Sequence, residues 1–142
     1  MKSLENYPYK NIPSISSIIT LIKPITWFPP MWAFLCGAVS SSNISFDTSM
    51  LLLIGLILSG PIVCGMSQAI NDWCDKEVDA INEPGRPIPS GKVPGSWGFW
   101  IAVIMSITGI IVSWFLGFWG FFATLLAIAC AWAYSAEPIR LK

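Results

Sequence analysis

The 142-residue chain is 54% hydrophobic and only 11% charged, with eight Trp and eight Phe. Soluble domains carry about a quarter charged residues, so the composition excludes an ordinary soluble domain and reads as a membrane protein. Net formal charge is zero and there is no basic tract, which argues against nucleic acid as a partner.

A membrane-spanning helix needs about 20 mostly apolar residues. Four stretches in chain order meet that requirement. The first runs from Ile18 to Val39, interrupted by Pro24, Pro29 and Pro30, and lacks the small-residue cleavage site of a signal peptide. The second runs from Ser49 to Ile70 and is expected to continue as helix through Asp79, with a bend at Pro61. The third covers Trp97 to Phe115 and the fourth Phe118 to Tyr134. The pattern predicts an all-α, polytopic transmembrane bundle of about four helices.

The connections differ in charge. The polar turn Ser40 to Thr48 and the short link Leu116-Gly117 contain no Lys or Arg. Lys2, Lys10, Lys23, Lys76, Arg86, Lys92, Arg140 and Lys142 all fall on the opposite side. The positive-inside rule makes that side cytoplasmic, together with both termini. The four cysteines (Cys36, Cys64, Cys74, Cys130) form no Cys-x-x-Cys pair and the chain has no His, so they read as apolar packing residues rather than zinc ligands.

Five of the eight acidic residues, Asp72, Asp75, Glu77, Asp79 and Glu83, crowd the end of the second helix. At about 100° per residue, Asn71, Asp75, Asp79 and Asp72 fall within about 100° of one another on a single helical face. Such a row is self-repelling, and an Asp at bilayer depth costs about 2.5–3.5 kcal/mol on insertion scales. A hard cation offsets both costs, and Mg²⁺ typically takes one or two carboxylates together with substrate phosphates. The competing reading is a solvated helix end.

The next stretch, Ala80 to Lys92, holds three prolines and two glycines and is expected to be a stiff loop carrying Arg86 and Lys92. An arginine fork matches phosphate oxygens. Arg86 and Lys92 are therefore candidates for diphosphate binding, with topology-setting as the alternative. Arg140 and Lys142 return to the same face, where they either help hold an anion or anchor the chain beside lipid headgroups.

The run Asn-Asp-x-x-Asp-x-x-x-Asp, Asn71 to Asp79, resembles the first aspartate-rich motif of the UbiA-type intramembrane prenyltransferases. Its continuation through Asn82-Glu-Pro-Gly-Arg-Pro-Ile-Pro-Ser-Gly91 resembles the chlorophyll and bacteriochlorophyll synthases of that superfamily, and Val93-Pro-Gly-Ser-Trp-Gly98 and the ending Tyr134 to Lys142 lean toward the bacteriochlorophyll branch. The resemblance extends from Leu21 onward. It implies a helical bundle around a cavity, Mg²⁺, a polyprenyl diphosphate donor such as geranylgeranyl or phytyl diphosphate, and chlorophyllide or bacteriochlorophyllide as acceptor, in contact with membrane lipid. By motif position, Asn71, Asp72, Asp75 and Asp79 would serve the metal and diphosphate, and Arg86 the phosphate.

Members of that superfamily run to about nine helices and carry a second aspartate-rich motif, whereas residues 1–142 hold four helices and one such motif. Residues 1–142 are therefore expected to be the amino-terminal part of such a domain, completed by further sequence or by a second chain. Gly85 and Glu137 also depart from the branch pattern. The alternatives are a quinone or haem prenyltransferase of the same superfamily, and a non-catalytic membrane protein that binds prenyl diphosphate or pigment.

Overall fold

A computed structural model describes residues 12–41, 45 and 48–141. The described residues are all-helical, as the sequence predicts. Lys2, Lys10, Lys142 and most of the polar turn Ser40 to Thr48 lie outside them.

The first predicted helix is two helices. α1 (Ile15–Leu21) starts at Ser14, whose hydroxyl accepts from the Ser17 amide at 3.2 Å. After α1, Lys23 adopts φ 45° ahead of Pro24, and Pro24–Thr26 form one 3₁₀ turn. α2 (Phe28–Ser40) then sets off at 51° to the first segment. The expectation of one helix from Ile18 to Val39 is thus corrected. Proline lacks an amide hydrogen and disfavours helical conformation in the residue before it, so Pro24, Pro29 and Pro30 fit helix starts better than a helix interior. The polar groups freed by the break find partners: Trp27 Nε1 donates to the Ile22 carbonyl at 2.9 Å, and Cys64 Sγ to the Thr26 carbonyl at 3.3 Å.

The second apolar stretch is a continuous span, Ser49–Cys74, of 26 residues. It comprises α3 (Ser49–Ile57), a π-helical segment (Leu58–Cys64) and α4 (Gly65–Cys74). Pro61 lies inside the π segment, where the wider turn accommodates the missing amide. The span then stops earlier than predicted. Asp75 leaves helical geometry at φ −93°, ψ 4°, and a separate short helix, α5 (Lys76–Asn82), follows.

α6 (Trp97–Ser113) and α7 (Gly117–Ser135) form a hairpin. Trp132 Nε1 donates to Ser106 Oγ at 3.0 Å, and the Phe99 and Trp132 rings meet edge to face at 5.8 Å. In one straight helix, residues 26 apart would be separated by about 39 Å, so the chain must reverse between them. It does so at Gly117, whose φ of 74° a side chain would strain. The result is a polytopic bundle in which α4, α6 and α7 pack most closely, around Met66, Ala69, Ile70, Ile101, Ala102 and Ile128.

The loop between α5 and α6 is closed on itself, as its prolines suggest. The Ser90 amide donates to the Arg86 carbonyl at 3.0 Å and the Val93 amide to the Pro87 carbonyl at 2.8 Å. Pro87 and Val93 are buried and tie the loop to the core. Ile88 lies against Gly98, where a β-carbon would come within 2.7 Å of Ile88 Cδ1. Gly98→Leu is therefore expected to push Ile88 out and cost about 1–3 kcal/mol, read as a lower unfolding midpoint and faster proteolysis within residues 83–96.

Candidate functional site

The acidic residues arrive on successive pieces of backbone. α4 carries Asn71 and Asp72, the junction carries Asp75, and α5 carries Asp79. Asp72 and Asp79 are buried, while Asn71 and Asp75 are half-buried. A buried carboxylate needs a charged or hydrogen-bonding partner, and here three cations from three other segments provide one.

Lys23, from the break between α1 and α2, places Nζ 2.7 Å from Asp72 Oδ1. Arg86, from the stiff loop, reaches Asp79 Oδ2 at 2.7 Å and Asp72 Oδ1 at 3.4 Å through the same Nη1. Its Nε and Nη2 clasp the two oxygens of Glu83 at 2.7 Å each. Arg140, after α7, lies 3.4 Å from Asp75 Oδ1 and 3.3 Å from Glu137 Oε1. Lys76 instead stacks over the Trp73 ring at 4.1 Å.

One expectation needs correction. The helix break at Asp75 means that Asn71, Asp72, Asp75 and Asp79 do not form one uninterrupted helical row; Asp72 and Asp79 share Arg86, while Asp75 pairs with Arg140. Arg86 and Arg140, the candidates for phosphate, lie against carboxylates here, because acids at this depth require counter-charge. Lys92 is exposed on the loop and joins no ion pair among the described residues.

One site residue escaped the sequence reading. The one-sided distribution of cations gives Lys23 a role in membrane topology only. The available signal was a lysine directly before a proline inside an apolar stretch, where a charge is costly without a partner.

Outside the spans, the clasp from Arg86 holds the Glu83 carboxyl below its ordinary range, and the Glu83 carboxylate in turn keeps the guanidinium more firmly protonated than usual. A lowered carboxyl stabilises the fold above its unfolded-state value, and that contribution is lost as acidification passes through the folded value. The pair therefore persists at neutral pH and fails only in acid.

The donor set suits a hard divalent cation. It is all oxygen: three carboxylates and the Asn71 amide. Asp72 Oδ2 is buried and accepts no hydrogen bond from the described residues, which leaves its lone pairs available. Among the described residues no three Asp, Glu, Cys or His side chains are grouped closely enough to hold a metal ion by themselves.

Fold and site together define a helical membrane protein with a cation-clasped acidic cluster where a membrane-spanning helix ends. The UbiA prenyltransferase family matches residues 28–142, and the chain belongs to that family. It is 62% identical over 133 residues to the bacteriochlorophyll synthase 33 kDa chain of Rhodobacter capsulatus, covering 94% of this chain and 44% of that protein. It is 46% identical over 125 residues to the bacteriochlorophyll synthase 34 kDa chain of Chloroflexus aurantiacus, covering 87% of this chain and 40% of that one. It is 35% identical over 134 residues to the chloroplastic chlorophyll synthase of Arabidopsis thaliana, covering 87% and 34%. The chain thus spans less than half the length of these relatives. No solved structure matches it.

Replacing Arg86 with Met deprives Asp79 of its cation and leaves Asp72 with Lys23 alone. Unfolding is expected to become easier by about 2–3 kcal/mol, below the fully buried limit because the arginine is partly exposed. Glu83→Gln, at an exposed position, is expected to move the unfolding midpoint far less in the same thermal measurement.

Proposed function

We propose that this chain carries the prenyl-diphosphate half-site of a Mg²⁺-dependent prenyltransferase that esterifies bacteriochlorophyllide, or chlorophyllide, with a geranylgeranyl or phytyl group. The single observation that supports this best is the pair of buried carboxylates, Asp72 and Asp79, bridged by Arg86, in a chain 62% identical to a bacteriochlorophyll synthase chain. Residues 1–142 are read as the amino-terminal part of the prenyltransferase domain.

In this reading Asp72, Asp75, Asp79 and Asn71 would hold the Mg²⁺. When bound, that ion supplies positive charge to the diphosphate oxygens as negative charge builds on them. Arg86 exchanges carboxylate partners for phosphate oxygens, to which its planar fork donates equally well. The bond between the allylic carbon and the diphosphate oxygen breaks, diphosphate leaves with both electrons, and an oxygen of the acceptor's propionate forms the new carbon–oxygen bond. A carboxylate is already nucleophilic at neutral pH, so no strong general base is required. The surrounding apolar helices exclude water that would otherwise capture the allylic cation.

All five described Lys and Arg residues lie in the segments at the acidic end of the bundle. By the positive-inside rule this end faces the cytoplasm, where a water-soluble diphosphate head has access. Lys92, in the same loop as Arg86, and Arg140, paired with Asp75, are read as completing the anionic subsite, and lipid as contacting the apolar exterior.

The test is product formation. Membranes containing the Rhodobacter capsulatus 33 kDa chain, with this chain in place of its matching 133 residues, receive Mg²⁺, geranylgeranyl diphosphate and bacteriochlorophyllide, and esterified pigment is measured chromatographically. Ester formation is expected, and Asp75→Asn is expected to reduce it by about 100-fold or more, as loss of several kcal/mol of leaving-group stabilisation requires. Near-normal activity of that variant contradicts the assigned role. Prenylated quinone precursors in place of pigment would point to another branch of the family.

A further inference from the structure

The two oxygens of Asp72 have unequal surroundings. Oδ1 accepts from Lys23 Nζ at 2.7 Å and lies 3.4 Å from Arg86 Nη1. Oδ2, on a side chain only 1% exposed, accepts nothing from the described residues. The cations also differ from each other. Arg86 divides its donors among Asp72, Asp79 and Glu83, whereas the ion pair of Lys23 is to Asp72 alone among the described residues.

Lys23 is delivered by fixed backbone. It stands at φ 45°, a conformation that costs roughly 1–2 kcal/mol for a residue with a β-carbon. The fold holds it there through fully buried Leu21 on one side, Pro24 on the other, and the Trp27 Nε1 bond to the Ile22 carbonyl. A buried carboxylate with one oxygen tied down cannot rotate freely, so its second oxygen points in one direction.

We propose that Lys23 is a positioning residue of the metal–diphosphate site: by holding Asp72 through Oδ1, it presents Oδ2 to the divalent cation. The proposal rests on the reading of the site given under Proposed function. Arg86 is the cation that departs toward phosphate, and Lys23 is the one that stays. Orientation and bare counter-charge predict opposite signs. If Lys23 only neutralised the site, its removal would leave a more negative cluster that attracts a divalent cation more strongly. If it positions Asp72, removal weakens binding, as loss of an outer-shell partner commonly does by about 10–100-fold.

The experiment uses the 142-residue chain in lipid nanodiscs and follows Mn²⁺ binding by electron paramagnetic resonance, with and without inorganic diphosphate. Lys23→Met is expected to weaken Mn²⁺ binding with diphosphate by about 10-fold or more, and Lys23→Arg to recover most of that loss. Combining Lys23→Met with Asp72→Asn is expected to lose no more than Asp72→Asn alone, because the lysine acts through that carboxylate. Should Lys23→Met fail to insert, Lys23→Gln carries the same expectation. Binding by Lys23→Met as tight as or tighter than the parent overturns the proposal, as do losses that simply add in the double variant. A parent chain that binds no Mn²⁺ with diphosphate overturns both this proposal and the reading it rests on.

Discussion

The arrangement depends on enclosing carboxylates against counter-charge where a membrane helix ends. Asp72 and Asp79 are buried in surroundings that solvate charge poorly. Lys23, Arg86 and Arg140 answer this cluster from the α1–α2 break, the α5–α6 loop and the segment after α7. Removing such a partner exposes the fold to an unmatched buried charge, which costs more than the pair itself contributes. The ion-pair network therefore also ties together segments that are distant in sequence.

The scaffold serves this network through its irregularities. Lys23 stands in the left-handed turn before Pro24, next to the point where the first apolar stretch changes direction by 51°. The π segment lets the second span continue past Pro61 to deliver Asp72. Buried Pro87 and Val93, together with Ile88 packed on Gly98, hold the loop that carries Arg86. Each departure from ideal helix lies in, or leads to, a segment bearing a site residue.

Much of this was legible in the sequence, because composition, hydropathy and the one-sided distribution of Lys and Arg are strong signals. The four apolar stretches, the hairpin at Gly117 and the stiff loop followed from them. The clustering of Asp72 and Asp79 followed from helical periodicity. The rest depended on tertiary context. Periodicity alone carries a helix through Asp75, whereas the backbone breaks there and sends that side chain to Arg140. Complementarity to phosphate singled out Arg86 and Arg140, whereas the carboxylates each of them pairs with are set by the folding of distant segments. For Lys23 the sequence offers only the cost of a charge inside an apolar stretch; its partner, 49 positions away, is named by no local pattern.

The central claim is that this acidic cluster grips a divalent cation and, through it, a diphosphate. The most direct measurement is a calorimetric titration of geranylgeranyl diphosphate into the chain in nanodiscs, with and without Mg²⁺, beside a variant carrying Asp72→Asn, Asp75→Asn and Asp79→Asn together. The account predicts saturable binding that requires Mg²⁺ and disappears in the triple variant. Equal binding by both proteins, or binding indifferent to Mg²⁺, would contradict it.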